Sequence, residues 1–267
     1  MQKNRTSITV VIPVYGRYDL LAETLKSVYA QKGNFLLKTI VIDDNYPQPA
    51  KNIINRLFPQ VQIIRNKENL KSGPSRNQAL KYIDSEYVAF LDSDDVWRND
   101  FLLKSVNKLK TTNSGTSITL SKPLFAKELP ILFKLKIYLL STIRDFFQLM
   151  FIVFNNGMVP SSGFYLCQLS HMLFTTNVIK GLKFDDNYNF GGEDWKYVLE
   201  VVDKNQKIII IPDRLVKYRY HKRSSSLKTE NRLNKWNSYK QLFHELDKRN
   251  INGLMRFLFK KYIATFQ

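Results

Sequence analysis

Apolar positions in the first hundred residues follow two alternating patterns. Ile8–Val14 is a short run rich in β-branched residues, bounded by Pro13 and Gly16. Asp19–Gln31 follows, with Leu20, Leu21, Leu25 and Val28 at helical spacing. Lys38–Ile42 reads as a second buried strand, ended by Asp43-Asp44-Asn45. Ile53–Phe58 offers a helix face, Val61–Ile64 a third strand, Ser75–Ile83 a helix and Tyr87–Leu91 a fourth strand. Continuous apolar strands separated by helices predict an α/β fold with a mostly parallel central sheet flanked by helices on both faces. Ligands of such sheets bind beyond the carboxyl ends of the strands. Asp43, Asp44, Asp92 and Asp94 all fall there.

The second half is less regular. Leu124–Phe154 mixes apolar residues with Lys127, Lys134, Lys136 and Arg144. Val198–Val202 continues a helix, Ile208–Ile211 is a strand, and Leu215–Tyr220 is strand-like. Arg232–Gln267 reads as a basic helical extension. Neither an internal repeat nor a low-complexity linker separates the halves, which predicts one shared core.

The balance of 41 Lys and Arg against 23 Asp and Glu gives the 267-residue chain a formal charge of +18. That excess points to an anionic partner: nucleic acid, acidic membrane or a phosphorylated substrate. The lone Cys167 excludes an intrachain disulfide and a cysteine-rich zinc site, and fits a reducing compartment. The apolar run near the N-terminus is too short for a signal-peptide core and runs straight into a strand pattern. Phe146–Phe154 is strongly apolar, but Asn155, Asn156, Gly157 and Pro160 interrupt it well short of the ~20 residues a spanning helix needs. No transmembrane helix is expected.

The strongest chemical signal is Tyr87-Val-Ala-Phe-Leu-Asp92-Ser93-Asp94-Asp95, a buried strand opening into three carboxylates. Packed like charges need a cation or hydrogen-bond donors, and hard ions such as Mg²⁺ or Mn²⁺ take oxygen ligands shared with phosphate. The same aspartates can instead cap the following helix. Gly191-Gly192-Glu193-Asp194-Trp195 brings an acidic pair to a helix start, which the helix dipole also favours by itself. Asn69–Asn77 carries a glycine, a proline and Arg76 around a helix start that can face a phosphate. His221 stands after a strand-like run and before Ser224, Ser225 and Ser226, as a ligand or as a structural residue. Tyr15 ends the first strand, where its ring can lie against a flat base.

Strand-PVYG, strand-DD, SGPSRN, FLDSDD and GGEDW, in this order and spacing, resemble family 2 glycosyltransferases of the GT-A fold over roughly Ser7–Ser226. The resemblance implies a GT-A domain over 1–226, with a nucleotide-sugar-binding half at 1–110 and an acceptor-binding half at 111–226. The basic extension at 227–267 lies beyond it. It implies that Pro13, Tyr15 and Asp43 or Asp44 hold the base and ribose. Arg76, Asp92 and Ser93 would lie in the nucleotide-sugar site, and Asp94 with His221 would bind Mn²⁺ or Mg²⁺. Asp194 would be the general base, with Glu193 beside it. The chain departs from the family at Asp44-Asn45-Tyr46-Pro47, where a small Gly-Ser pair is usual, so Tyr46 is expected to crowd the base.

The implied activity is inverting, metal-dependent transfer from a nucleotide-diphosphate sugar, with UDP favoured, to a hydroxyl of a glycan or lipid-linked glycan. The setting would be bacterial surface polysaccharide such as O-antigen, lipopolysaccharide or capsule. The chemistry agrees: charge builds on the leaving diphosphate, and one carboxylate must take the acceptor's proton. A nucleic-acid-binding protein is the competing reading of the charge, but no recognition motif for it is present. A catalytically silent scaffold is disfavoured by Asp92, Asp94, Glu193 and Asp194, and a nucleotidyltransferase by the lack of a Gly-rich phosphate loop. The expected location is the cytoplasm or the cytoplasmic face of the inner membrane. An anionic lipid surface would be met by the basic apolar segments 125–154 and 254–266, the latter being the stronger candidate and alternatively a dimer face.

Overall fold

The computed structural model describes residues 5–154, 158–159, 168–188, 191–204, 208–222, 237–238, 240–241 and 244. Cys167, Ser224–Ser226 and nearly all of the expected extension at 227–267 lie outside the described residues. In chain order the elements are β1 (Thr6–Val14), α1 (Tyr18–Tyr29), β2 (Phe35–Asp43), α2 (Lys51–Leu57), β3 (Gln62–Arg65), α3 (Ser72–Leu80), β4 (Tyr87–Phe90) and β5 (Val96–Trp97). They continue with α4 (Phe101–Thr112), β6 (Thr116–Phe125), α5 (Ile131–Phe154), β7 (Met158–Val159), β8 (Met172–Thr175), α6 (Thr176–Ile179), α7 (Glu193–Asp203) and β9 (Ile208–Tyr220).

The strands form one sheet in the order β3-β2-β1-β4-β8-β6-β9-β5, with β7 paired to β9. The long ladders β1–β2 and β6–β9 are parallel, as are β1–β4 and β2–β3. The β4–β8, β6–β8, β5–β9 and β7–β9 pairs are antiparallel, so the sheet is mixed although mostly parallel. Two antiparallel steps, β4 to β8 and β8 to β6, restore the direction, so β9 runs the same way as β4. Its carboxyl end therefore reaches the edge where β1, β2 and β4 also end.

Side chains of each central strand alternate between two cores, as a sheet covered on both faces requires. Ile8, Val10, Ile12 and Val14 of β1 pack with Leu21, Leu25 and Val28 of α1, Ile54 of α2 and Phe101, Leu102 and Val106 of α4. Val11 faces the other way, toward Ala79 of α3, Val178 of α6 and Tyr197, Val198 and Val201 of α7. Helices α3 and α7 thus share one face, and both begin at the carboxyl edge of the sheet. Under their starts sits an aromatic cluster. The Phe90 ring is 5.2 Å from Phe184, 5.7 Å from Tyr197 and 6.1 Å from Phe174.

Two differences from the sequence pattern have local causes. Ile208–Ile211 and Leu215–Tyr220 are a single strand, β9, because Pro212 and Asp213 are skipped between the pairs Ile211↔Thr119 and Arg214↔Leu120. Proline lacks an N–H to donate and is tolerated at such a bulge. The helix expected at Ser75 begins at Ser72, so Gly73 and Pro74 lie in its first turn, where proline needs no N–H partner. Among the described residues no helix is long and apolar enough to cross a membrane.

The aromatic cluster joins the sheet to the helices that start at its edge. Phe90→Ala should therefore cost ~3–5 kcal/mol of unfolding free energy, the range for a buried Phe truncated in a packed core. Urea denaturation of both proteins checks this; a loss below ~1 kcal/mol would mean that the cluster collapses around the gap.

Candidate active site

Each strand that ends at the carboxyl edge delivers part of the site. After β1, Gly16 and Arg17 both take left-handed backbone, with φ of 66° and 56°. For a non-glycine residue this costs ~1–2 kcal/mol. The turn aims the Arg17 guanidinium across the edge, and its Nη1 donates to Asp94 Oδ2 at 2.8 Å. A Cβ on Gly16 would stand 3.0 Å from the Tyr46 ring. Tyr46 meets Tyr15 edge-on at 5.1 Å, and Tyr15 keeps 45% of its surface exposed. Pro13 is buried within the β1–β2 ladder, where it pairs with Ile42.

After β2, the two aspartates take different partners. Asp43 Oδ2 accepts from Ala50 N at 2.9 Å and from Arg65 Nη1 at 2.6 Å. Its buried Oδ1 has no partner among the described residues. Asp44 accepts from Asn66 Nδ2, Leu70 N and Lys71 N at 2.8, 2.7 and 2.9 Å. Asp44 thereby pins the segment that leads into α3, and α3 carries Ser72 and Arg76.

After β4 the chain turns sharply. Asp95 N bonds Asp92 O at 3.1 Å, and β5 then pairs with β9. Asp92 N donates to Ser170 Oγ, while Thr24 Oγ1 donates to the carbonyls of Ser93 and Asp95. Ser93 is itself buried. Asp95, fully buried, accepts from Arg219 N at 3.0 Å. Burial, with the charges of Asp94 and Asp92 adding to it, pushes the Asp95 carboxyl well up. Asp95 therefore anchors the turn to β9, while Asp92 and Asp94 face outward with 30% and 17% of their side chains open.

Arg76 connects the two halves of the chain. Its guanidinium is 1% exposed and donates to Asp92 Oδ1 at 2.6 Å and Asp194 Oδ1 at 2.9 Å, with Glu193 Oε1 at 3.6 Å. Its Cζ lies 5.3 Å from the Phe184 ring centroid. Burial opposes the charge, but Asp194, Asp92 and Glu193 outweigh it and strengthen proton binding at Arg76. Arg76 lies one turn inside α3 with its planar fork engaged by carboxylates. It organises them, rather than offering a free cation at a helix start. Glu193 and Asp194 are set by Gly192, whose φ of 87° lets α7 begin abruptly, and Ser72 Oγ donates to Glu193 Oε1. Burial, then the charges of Glu193 and Asp92, raise the Asp194 pKa to about 8 against the opposing pull of Arg76. The same burial raises Asp92, although Arg76 lowers it.

His221, at the end of β9, places Nε2 3.0 Å from Asp94 Oδ2. Burial would raise the Asp94 pKa, but the His221 hydrogen bond and the Arg17 charge prevail and hold it below the ordinary carboxylate value. An ionised carboxylate beside an imidazole suits a hard cation that completes its shell with phosphate oxygens and water. Among the described residues no cluster of three or more His, Cys, Asp or Glu forms a self-sufficient metal cage. Asp94 and His221 bring one carboxylate and one ring nitrogen together at this edge, with Arg17 on the same carboxylate oxygen.

Arg17, Arg65 and Ser170 were not singled out by sequence reasoning, and Ser72 was flagged only as part of the SGPSRN segment. A lone Arg after Gly16 carries no pattern, and the contacts of Ser72 and Ser170 join segments distant in the chain. Arg219 had one available signal, its place in the strand-like run before His221.

The family model for glycosyl transferase family 2 matches residues 9–158, which include most of β1, the Asp43-Asp44 pair, α3 and the Asp92–Asp95 turn. The chain belongs to this family. The succinoglycan biosynthesis protein ExoW of Rhizobium meliloti is 38% identical over 109 residues, 38% of this chain and 34% of that protein. The E. coli UDP-Glc:alpha-D-GlcNAc-diphosphoundecaprenol beta-1,3-glucosyltransferase WfaP is 30% identical over 106 residues, covering 39% and 41% of the two chains. The chain thus spans less than half the length of these relatives. The mannosyltransferase PcManGT of Pyrobaculum calidifontis, solved with GDP-Man and Mn²⁺, superposes with a TM-score of 0.68 at 18% identity over 98% of this chain and 70% of that one. That likeness confirms the GT-A fold expected of a family 2 sequence.

Removing Arg76 leaves three carboxylates facing one another without their cation. Arg76→Ala should lower stability by ~3–5 kcal/mol at pH 8, the cost of breaking a buried ion pair. Without the guanidinium, which lowers both, the Asp92 and Asp194 carboxyls rise further above their unfolded values. The penalty is then carried above those values and relieved as falling pH protonates the group. Urea titrations at pH 8 and 5.5 should show a smaller deficit at the lower pH; an equal deficit would indicate lost packing instead of unpaired charge.

Proposed function

We propose that the protein is an inverting glycosyltransferase that moves a sugar from a nucleotide-diphosphate donor, with UDP-sugars favoured, to a hydroxyl of a lipid-linked or growing surface glycan. The observation that carries this reading is the Arg76 bridge. It joins the strand-end acid Asp92 of the family's donor motif to Glu193 and Asp194 at the start of α7. A donor-side acid and a candidate base thus face one another at a single edge of the sheet.

Asp194 is the general base. A carboxylate raised to about 8 is a stronger proton acceptor than an ordinary aspartate, and 17% of its side chain remains open for an acceptor hydroxyl. Attack from that side, opposite the departing diphosphate, inverts the anomeric centre. Arg76 and Glu193 orient and tune the base, and Asp92 lies on the donor side. Tyr15 and Tyr46 offer aromatic surface to the nucleotide base, with Asp43 and Asp44 holding the backbone beneath it. Arg17 places a positive charge where the diphosphate leaves. Asp94 and His221 would hold Mn²⁺ or Mg²⁺ there; when bound, the ion neutralises charge on the leaving diphosphate. The relatives' names, succinoglycan biosynthesis and transfer to a diphosphoundecaprenol-linked sugar, support a surface-polysaccharide setting and a lipid-linked acceptor. Such an acceptor would be met from the cytoplasmic side of a membrane.

Asp194→Asn should bind the donor like wild type and lose at least ~10²-fold in turnover, the usual scale of general-base catalysis. Because Asp194 accepts the proton only when ionised, wild-type turnover should rise with pH through about 8, a limb absent in the variant. Turnover equal to wild type would remove Asp194 from the mechanism and leave Glu193 as the candidate. Asp94→Ala should weaken Mn²⁺-dependent binding of UDP-sugar by at least ~10-fold in calorimetry. Binding that is unchanged by the substitution and by EDTA would exclude the metal assignment.

A further inference from the structure

Over residues 131–142 and 145–146, whose side chains are described, helix α5 carries its apolar side outward. Its inward stripe, at i, i+4 spacing, is Phe133, Ile137, Ser141 and Asp145, and Asp145 is buried against Arg214 Nη2 at 2.7 Å. The opposite side carries Ile131, Leu132, Leu135, Tyr138, Leu139 and Phe146, exposed by 68, 77, 60, 47, 62 and 58%. A soluble helix normally shows the reverse arrangement. A contiguous apolar surface of this kind marks an interaction site.

Charge indicates the occupant. Asp145 is the sole acid of α5 and is buried, so no carboxylate of the helix borders the apolar stripe. Lys136 is exposed within it, Lys134 flanks it, and Lys122 and Lys127 are exposed just before it, with Glu128 as the one acid in the sequence from Lys122 to Lys136. The chain as a whole carries +18. An apolar stripe bordered by lysines is what an anionic lipid surface accepts: the apolar side enters the acyl boundary and the ammonium groups meet the headgroups. A second copy of the chain, with the same lysines, would bring like charges together at the rim.

The position of α5 relates this surface to the site. Phe133 packs at 6.3 Å on Tyr220, Tyr220 O accepts from Ala126 N, and the next residue is His221, bonded to Asp94. We infer that the outer side of α5 docks the protein on an anionic membrane surface, beside the carboxyl edge of the sheet. The docking surface is argued from α5 itself; only its use in presenting a lipid-linked acceptor rests on the function proposed above. Sequence reasoning favoured residues 254–266 for this task, and those lie outside the described residues.

The test is flotation of the full chain with phosphatidylcholine vesicles containing about one-third phosphatidylglycerol, at low and high salt, beside UDP-sugar binding in solution. Wild type should float with the anionic vesicles, less so at high salt and not with pure phosphatidylcholine. The Leu135→Ser/Leu139→Ser double variant should partition about tenfold less while folding normally and binding donor like wild type. Absence of flotation at low salt, or a double variant that floats like wild type, overturns the inference. So does a double variant whose only change, by light scattering, is conversion of a dimer to a monomer. Loss of donor binding in wild type, with flotation intact, would count against the glycosyltransferase reading and leave the docking surface standing.

Discussion

A guanidinium almost fully removed from water, with carboxylates from two distant segments around it, is the interaction on which the site depends. Arg76 cannot lie buried without anionic partners, and Asp92, Glu193 and Asp194 cannot crowd together without a cation. Each half of the arrangement therefore requires the other. The consequence is chemical as well as structural. Arg76 draws the carboxylates together, while burial and their mutual repulsion raise Asp194 toward the range in which a carboxyl group accepts protons near neutral pH.

Topology makes that meeting possible. Helices α3 and α7 cover the same face of the sheet and start at the same edge, so residues far apart in sequence become neighbours through an aromatic floor of Phe90, Phe184 and Tyr197. A second cluster forms by the same means. Two antiparallel steps through β8 return β9 to the direction of β4, bringing His221 to Asp94, while the left-handed turn after β1 adds Arg17. One cluster raises a carboxyl pKa and the other lowers one. Under the function proposed above, that opposition separates a proton acceptor from a site for a cation.

Helix α5 follows a different logic. Among its described side chains, Phe133, Ile137 and Ser141 face inward beside the Asp145–Arg214 pair, and Leu132, Leu135 and Leu139 are exposed. Its start packs on the strand end that supplies His221. Under the docking and the function proposed above, a lipid-facing surface adjoins the donor edge, a placement that matches an acceptor with one polar and one apolar end.

Much of this was legible in the order of residues. Runs of β-branched residues separated by helical spacing specify buried parallel strands, because backbone hydrogen bonding and apolar burial leave few alternatives at those lengths. The acidic strand ends and the Pro13-Val-Tyr15 motif lie in the stretch that the family model matches, and Gly191–Trp195 lies beyond it. The antiparallel strands β5, β7 and β8 were not legible: they are short, and their pairing is decided by partners far away in the chain. Nor were the roles of individual charges. Asp92, Asp94 and Asp95 are the same residue type within four positions, yet one is bound to Arg76, one to Arg17 and His221, and one is buried on the Arg219 backbone. Local sequence determines which charges leave a strand end together. Only the packed fold decides which cation each one meets and how much water it keeps, because electrostatic energies depend on distance and burial rather than on position in the chain.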